Sequence, residues 1–193
     1  MSEIDRMKKL RKLTRRKFIQ VTASLAAAGP VISCTQATSP WRFLTAEEAR
    51  TLEAICGQIV PNDQDPGAKE AGVVNFIDRQ LCGFHKRHQK AYREGLAGLD
   101  QTCLALHGTR FVNLAAEKQL SVLAALEKGE APGEIWKRRS ARSFFGLVVN
   151  HTMQGFYGDP RHGGNCNGMS WKMLGLPYPP VRGRQQYDLT KSL

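Results

Sequence analysis

Several signatures are missing from this chain, and each absence closes off a class of function. Its 193 residues hold no Cys-x-x-Cys and no His-Glu-x-x-His, so the patterns of zinc ribbons, redox dithiols and zincin proteases are absent. No Gly-x-Gly-x-x-Gly occurs, and its glycines do not follow a strand-like run, which argues against a dinucleotide or phosphate site. No run alternates apolar and polar residues in the manner of a half-buried strand. There is no internal repeat and no low-complexity stretch. The apolar stretch from Phe18 to Ser33 is shorter than the roughly 20 residues that span a bilayer, and Gln20, Thr22, Ser24, Gly29 and Pro30 dilute it.

Charge is also missing from one place: no Lys, Arg, Asp or Glu lies between Lys17 and Arg42. Ahead of that gap stands Thr14-Arg15-Arg16-Lys17-Phe18-Ile19-Gln20. A basic n-region, a weakly apolar h-region and small residues near a cut site are the three parts of an export signal. The arginine pair Arg15 and Arg16 directly before Phe18 makes residues 1–33 resemble a twin-arginine (Tat) signal, an address read by a receptor. The Tat translocon carries proteins already folded in the cytoplasm, so the expected location is periplasmic. Val31-Ile32-Ser33-Cys34 resembles a lipobox, in which Cys34 is acylated and holds the protein to a membrane surface. An ordinary signal-peptidase cut nearby, which discards Cys34, is the alternative.

The net charge of +11 divides unevenly, because residues 1–33 contribute +6 of it and the rest only +5. Lys137-Arg138-Arg139 with Arg142 then reads as a solvated face or a patch for an acidic protein partner, and nucleic acid is not expected. Without Cys34 the cysteines are Cys56, Cys82, Cys103 and Cys166. An even count in an exported protein permits one or two disulfides, with three full pairings open.

About 160 mature residues suit a single core. Residues 34–44 read as a tether, followed by one helical domain over 45–193 that ends in an extended segment, 159–193. Thr45-Ala46-Glu47-Glu48 has the form of a capping box; Leu52, Ile55 and Ile59 follow at helical spacing until Pro61 stops the helix. Asn62 to Gly67 is turn chemistry, and its two Asp lack further ligands, so a solvated loop is expected. Val73, Phe76, Ile77, Leu81 and Phe84 form one helical face, with Gly83 as a break. Ala91, Tyr92, Leu96, Leu99, Cys103 and Leu106 form another. Between them His85-Lys86-Arg87-His88 places two histidines three apart, a spacing that can hold a metal or haem on one helix face, but the flanking Lys and Arg repel a cation, so a polar exposed turn is the expected reading. Leu114, Leu120, Leu123 and Leu126 give a further helix, and a last long helix is expected from about Glu134 to Tyr157, with Trp136, Phe144, Phe145 and Val148 as core anchors. The fold class is all-α, a compact helical bundle with a long C-terminal Gly/Pro-rich loop segment.

That segment carries Asp159-Pro160, Gly163-Gly164-Asn165 and Trp171-Lys172-Met173-Leu174-Gly175-Leu176-Pro177. These pieces are similar to the C-terminal signature of the gluconate 2-dehydrogenase subunit 3 family. Leu52 to Pro61 and the Asp-Pro-Gly-Ala loop before Gly72-Val73-Val74 resemble its front half. His162, where an aromatic is usual, and Cys166, where a basic residue is common, depart from the pattern. The resemblance implies a non-catalytic small subunit that binds no cofactor or metal of its own. Its partner would be a flavoprotein of the glucose–methanol–choline type holding FAD, with a multihaem cytochrome c subunit as the electron outlet. Together they would oxidise sugars, sugar acids or polyols, and the Tat signal would carry the folded pair across. Asp159, Pro160, Gly163, Gly164, Asn165, Trp171 and Met173 are then expected at the partner interface or as its support. Two rival readings come from the residues: His151, His162 and Cys166 as a metal or nucleophile constellation, and a free-standing periplasmic lipoprotein acting as a binding or scaffold module.

Overall fold

A computed structural model describes residues 40–176. The export motif Arg15, Arg16 and Phe18, the lipidation candidate Cys34 and the chain beyond Leu176 lie outside the described residues. Within them are seven α-helices and no strand. In chain order these are α1 (Ala46–Ile59), α2 (Val73–Leu81), α3 (Gln89–His107), α4 (Ala116–Lys128), α5 (Glu134–Arg138), α6 (Ala141–Tyr157) and α7 (Met169–Met173). No described helix is long and apolar enough to cross a membrane.

The first helix starts where the capping box requires. The Thr45 amide donates to Glu48 Oε2 at 2.8 Å and the Glu48 amide donates to Thr45 Oγ1 at 3.2 Å, so two of the four free N–H groups of the helix start are satisfied reciprocally. Leu52 and Ile55 are fully buried. Helix α6 is the centre of the bundle and packs against α1, α2, α3 and α4. Gly95 on α3 forms a slot for the Phe144 ring of α6; a β-carbon there would lie 2.2 Å from it.

The long helix expected from Glu134 to Tyr157 is two helices. Arg139 adopts extended backbone (φ −135°, ψ 133°) and Ser140 caps α6, its Oγ accepting from the Ser143 amide at 3.1 Å. A serine that accepts from the third residue ahead begins a helix, and that capping signal inside the run outweighs its helical periodicity. Phe84 also departs from expectation: α2 ends at Leu81, the chain turns through Gly83, and Phe84 stands 77% exposed. Leu106 and Leu120 are likewise exposed.

The end of the expected tether is fixed to the body. Asp78, buried on α2, accepts from the backbone amides of Arg42, Phe43 and Leu44 at 2.7, 2.9 and 2.9 Å. Arg93 of α3 donates to the Phe43 carbonyl, pairs with Glu48, and lies 4.2 Å over the Phe43 ring. Buried charge is tolerated only when it is fully hydrogen-bonded, and three amides meet that condition for Asp78.

Candidate functional site

The segment that follows α6 crosses back over the bundle through two short 3-10 turns, Pro160–His162 and Cys166–Gly168, into α7. The last carbonyls of a helix lack intrahelical partners, and this segment supplies two of them. Asn165 Nδ2 donates to the Gly158 carbonyl at 2.9 Å, and Trp171 Nε1 donates to the Tyr157 carbonyl at 2.8 Å. The other side of the Asn165 amide accepts from the Ser170 N–H at 3.0 Å. Asn165 is completely buried and sits at φ 44°, a left-handed conformation that asparagine enters more readily than most residues.

The glycines explain how the crossing comes so close. A β-carbon on Gly164 would lie 2.2 Å from the Gly155 carbonyl oxygen of α6, well inside contact. Gly163, at φ 101°, lies over the Arg79 side chain. Asp159 caps the first turn, accepting from the Arg161 amide and pairing with its guanidinium. Those bonds hold its carboxyl near pKa 2. Met173 packs partly buried against the core. The sequence-selected Asp159, Gly163, Gly164, Asn165, Trp171 and Met173 thus come together as the closure of α6. The exposed apolar groups nearby are others. Phe84, Met153 and Tyr157 border a groove of about 600 Å³ whose wall includes His85, Gln154 and His162; all three apolar side chains are more than a third exposed. Leu174 and Leu176 are about half exposed at the end of the segment.

His151, His162 and Cys166 do not form the constellation that their residue types suggested. His162 is exposed on the groove. Cys166 lies over Gly72, and its amide donates to the Ala71 carbonyl. His151 is buried and belongs to a different group. Its ring stacks on His85 with centroids 4.0 Å apart, and His88 meets it edge-on at 5.5 Å. Among the described residues, His85, His88 and His151 are the one group of three potential metal ligands, their ligand nitrogens all within 4.8 Å of one another. The turn from His85 to His88 is therefore not the exposed turn its charges suggested: His85 is buried and His88 half-buried. Lys86 and Arg87 point to solvent, so the charges that argued for exposure sit on the outer side of the same turn.

Two neighbours orient these rings. His151 Nδ1 lies 2.9 Å from the buried Tyr92 hydroxyl, and His85 Nε2 lies 3.1 Å from Gln154 Oε1. Burial lowers the pKa of His151 to about 4, with His85, His88 and Arg87 adding repulsion. Burial, then Arg87, also lowers that of His88. One face of α6 signalled part of this arrangement: His151 and Thr152 stand three and four residues after Val148, on its apolar stripe. Thr152 reaches Cys56 Sγ at 3.2 Å. Cys56, Cys82, Cys103 and Cys166 are all free in this structure. Cys56 and Cys103 are buried, which pushes both thiols up to about 12, the behaviour of structural and unreactive cysteines.

No curated protein and no solved structure matches the chain. A family model does, over residues 46–177, from the start of α1 to the proline that ends the signature segment. The match takes in the capped helix start, the bundle and the crossing that closes α6, and with it the chain belongs to the gluconate 2-dehydrogenase subunit 3 family, small subunits of a dehydrogenase complex.

Proposed function

We propose that this chain is the non-catalytic small subunit of a periplasmic, FAD-dependent dehydrogenase of sugars, sugar acids or polyols. In this reading it carries the folded flavoprotein through the Tat translocon and stabilises it afterwards, with a multihaem cytochrome c as the electron outlet and Cys34 as a lipid anchor. The flavin and haem belong to the partners, and the substrate is set there.

The observation that supports the reading best is the exposed apolar border of the groove. Phe84 is 77% exposed on a turn that also exposes Lys86 and Arg87, and Met153 and Tyr157 stand beside it across the groove. Large apolar groups that gather at one concave place favour a protein partner over solvent. Aromatic and methionine side chains are also enriched at such interfaces. The crossing segment then supports the surface, because it fixes the end of the helix that carries Met153 and Tyr157.

The test is co-expression of the full chain with its flavin subunit, followed by fractionation and affinity capture. Phe84→Ser should abolish co-purification of the flavin subunit while the melting temperature of the small subunit stays unchanged. Arg15→Lys with Arg16→Lys should leave both chains in the cytoplasm, because lysine cannot reproduce the guanidinium fork. Capture of the flavin subunit by Phe84→Ser at the wild-type level would overturn the placement of the interface. Periplasmic flavin subunit in the arginine variant would overturn the escort role.

A further inference from the structure

We propose that His85, His88 and His151 form a binding site for one divalent transition-metal ion, beyond the cofactor-free role expected of the subunit. Three imidazoles meet at the junction of the turn before α3 with α6, and their ligand nitrogens lie within 4.8 Å of one another. A closed tetrahedral set with Zn–N bonds near 2.0–2.1 Å would place those nitrogens roughly 3.3 Å apart, so binding draws the rings inward. The His85 and His151 rings, stacked at 4.0 Å with nearly parallel lone pairs, must turn toward a common point, and His88, half-buried on a short turn, moves with them.

The second observation is an orphan. His85 Nδ1 is buried and has no hydrogen-bond partner, although His85 itself is only 6% exposed. A buried polar atom without a partner costs stability, and a lone pair held in a dry site beside two more imidazoles is what a metal ion takes up. The other nitrogen of that ring is already engaged, since Gln154 Oε1 accepts its proton; this tautomer leaves Nδ1 free to ligate. His151 has the same arrangement reversed. Tyr92 Oη lies 2.9 Å from His151 Nδ1, and the tautomer in which Nδ1–H donates to it leaves the lone pair on Nε2. Metal-binding histidines commonly give their second N–H to such an oriented oxygen acceptor, and that partner fixes the ring. Imidazole-only ligation suits zinc, cobalt, nickel or copper in preference to magnesium or calcium.

Arg87 is the opposing element, and it sharpens the test. Its Nε donates to His88 Nε2 at 3.1 Å. Ligation by Nε2 displaces that bond directly, and ligation by Nδ1 places the ring proton on Nε2, where it can no longer accept. Either way the metal competes with Arg87 for His88.

The experiment uses the full chain purified with a histidine-free tag, stripped with chelator, kept reduced, and titrated with Co²⁺ by calorimetry and visible absorption. One equivalent should bind, with cobalt d–d bands and no thiolate-to-cobalt charge-transfer band. His88→Ala should weaken binding by more than about tenfold, the equivalent of about 1.4 kcal/mol. Arg87→Gln should tighten it. Arg87 is exposed and His88 half-buried on a short turn, and unchanged circular dichroism confirms that each variant is folded. Absence of saturable binding overturns the site, as does a thiolate band, which would place the ion on cysteine. Undiminished binding in His88→Ala overturns it too, and Arg87→Gln binding no tighter than wild type removes His88 from the ligand set.

Discussion

Residues 46–157 and residues 158–175 are both ordered, yet they bury different things. The first stretch buries more than twenty apolar side chains around α6, among them Leu52, Tyr92, Phe111 and Phe156. The second buries Gly164, Asn165, Gly168 and Ser170, none of them a large apolar residue. Burial of apolar area contributes roughly 25 cal/mol per Å² and is non-directional, so the bundle can exchange one apolar shape for another at modest cost. The crossing segment has no such reserve. It is held by a few directed hydrogen bonds and by backbone approaches that only glycine allows. One region tolerates variation in identity, and the other depends on particular atoms.

The strongest way to break that contrast is Asn165→Ala. It strands the Gly158 carbonyl and the Ser170 amide and leaves at φ 44° an alanine, which lacks the polar side chain that lets asparagine enter the left-handed region. We expect a loss of about 2–4 kcal/mol in urea unfolding, because each buried group left unpaired costs about 1–3 kcal/mol. That is as much as a large-to-small change in the bundle core. A loss below about 0.5 kcal/mol would show that the crossing is held by its partly buried Trp171 and Met173 instead.

Acid separates the regions next. His151 is held neutral, its pKa lowered from 6.5 to about 4 by burial. A depressed histidine binds fewer protons in the folded than in the unfolded state, so its stabilisation is whole above pH 6.5 and is lost as the pH falls toward 4. Asp159 is depressed to about 2 by Arg161, so the cap of the crossing keeps its charge throughout that window. The melting temperature should therefore fall between pH 6.5 and 4.5 at constant salt, and His151→Leu should flatten that slope wherever it folds. A wild-type slope retained in His151→Leu would move the acid sensitivity elsewhere.

The smallest effect belongs to Ser170→Ala. Ser170 Oγ is buried with no partner, so removing it should leave stability unchanged or raise it by up to about 1 kcal/mol. A clear loss on thermal melting would reveal a bond to that hydroxyl.

The bundle was legible in the sequence because helical periodicity and end signals act locally. The Thr45–Glu48 box, the stop at Pro61 and the break at Gly83 all sit within one turn of what they control. The division at Arg139 was missed because aromatic spacing on either side of Ser140 is continuous, and a capping serine inside a helical run looks like any other serine. The polar interior was harder to see. Asp78 lies four residues after Val74 and three before Leu81, on their buried face, and His151 and Thr152 occupy the corresponding places after Val148. A polar residue in phase with an apolar stripe is the available signal. Its partner is not, because Tyr92 lies 59 positions from His151, and no local rule relates them.

The Asp78 carboxylate has a consequence for the order in which the molecule is made. A ribosome delivers Arg42, Phe43 and Leu44 early, while the acceptor that holds them follows 34 to 36 positions later, and Arg93 arrives 50 positions after Phe43. Until α2 and α3 have been synthesised and packed, the front edge of the body has nothing to hold it. Its fastening is therefore a late event of vectorial folding, and an amide at Phe43 that resists exchange marks a chain whose first three helices are already in place.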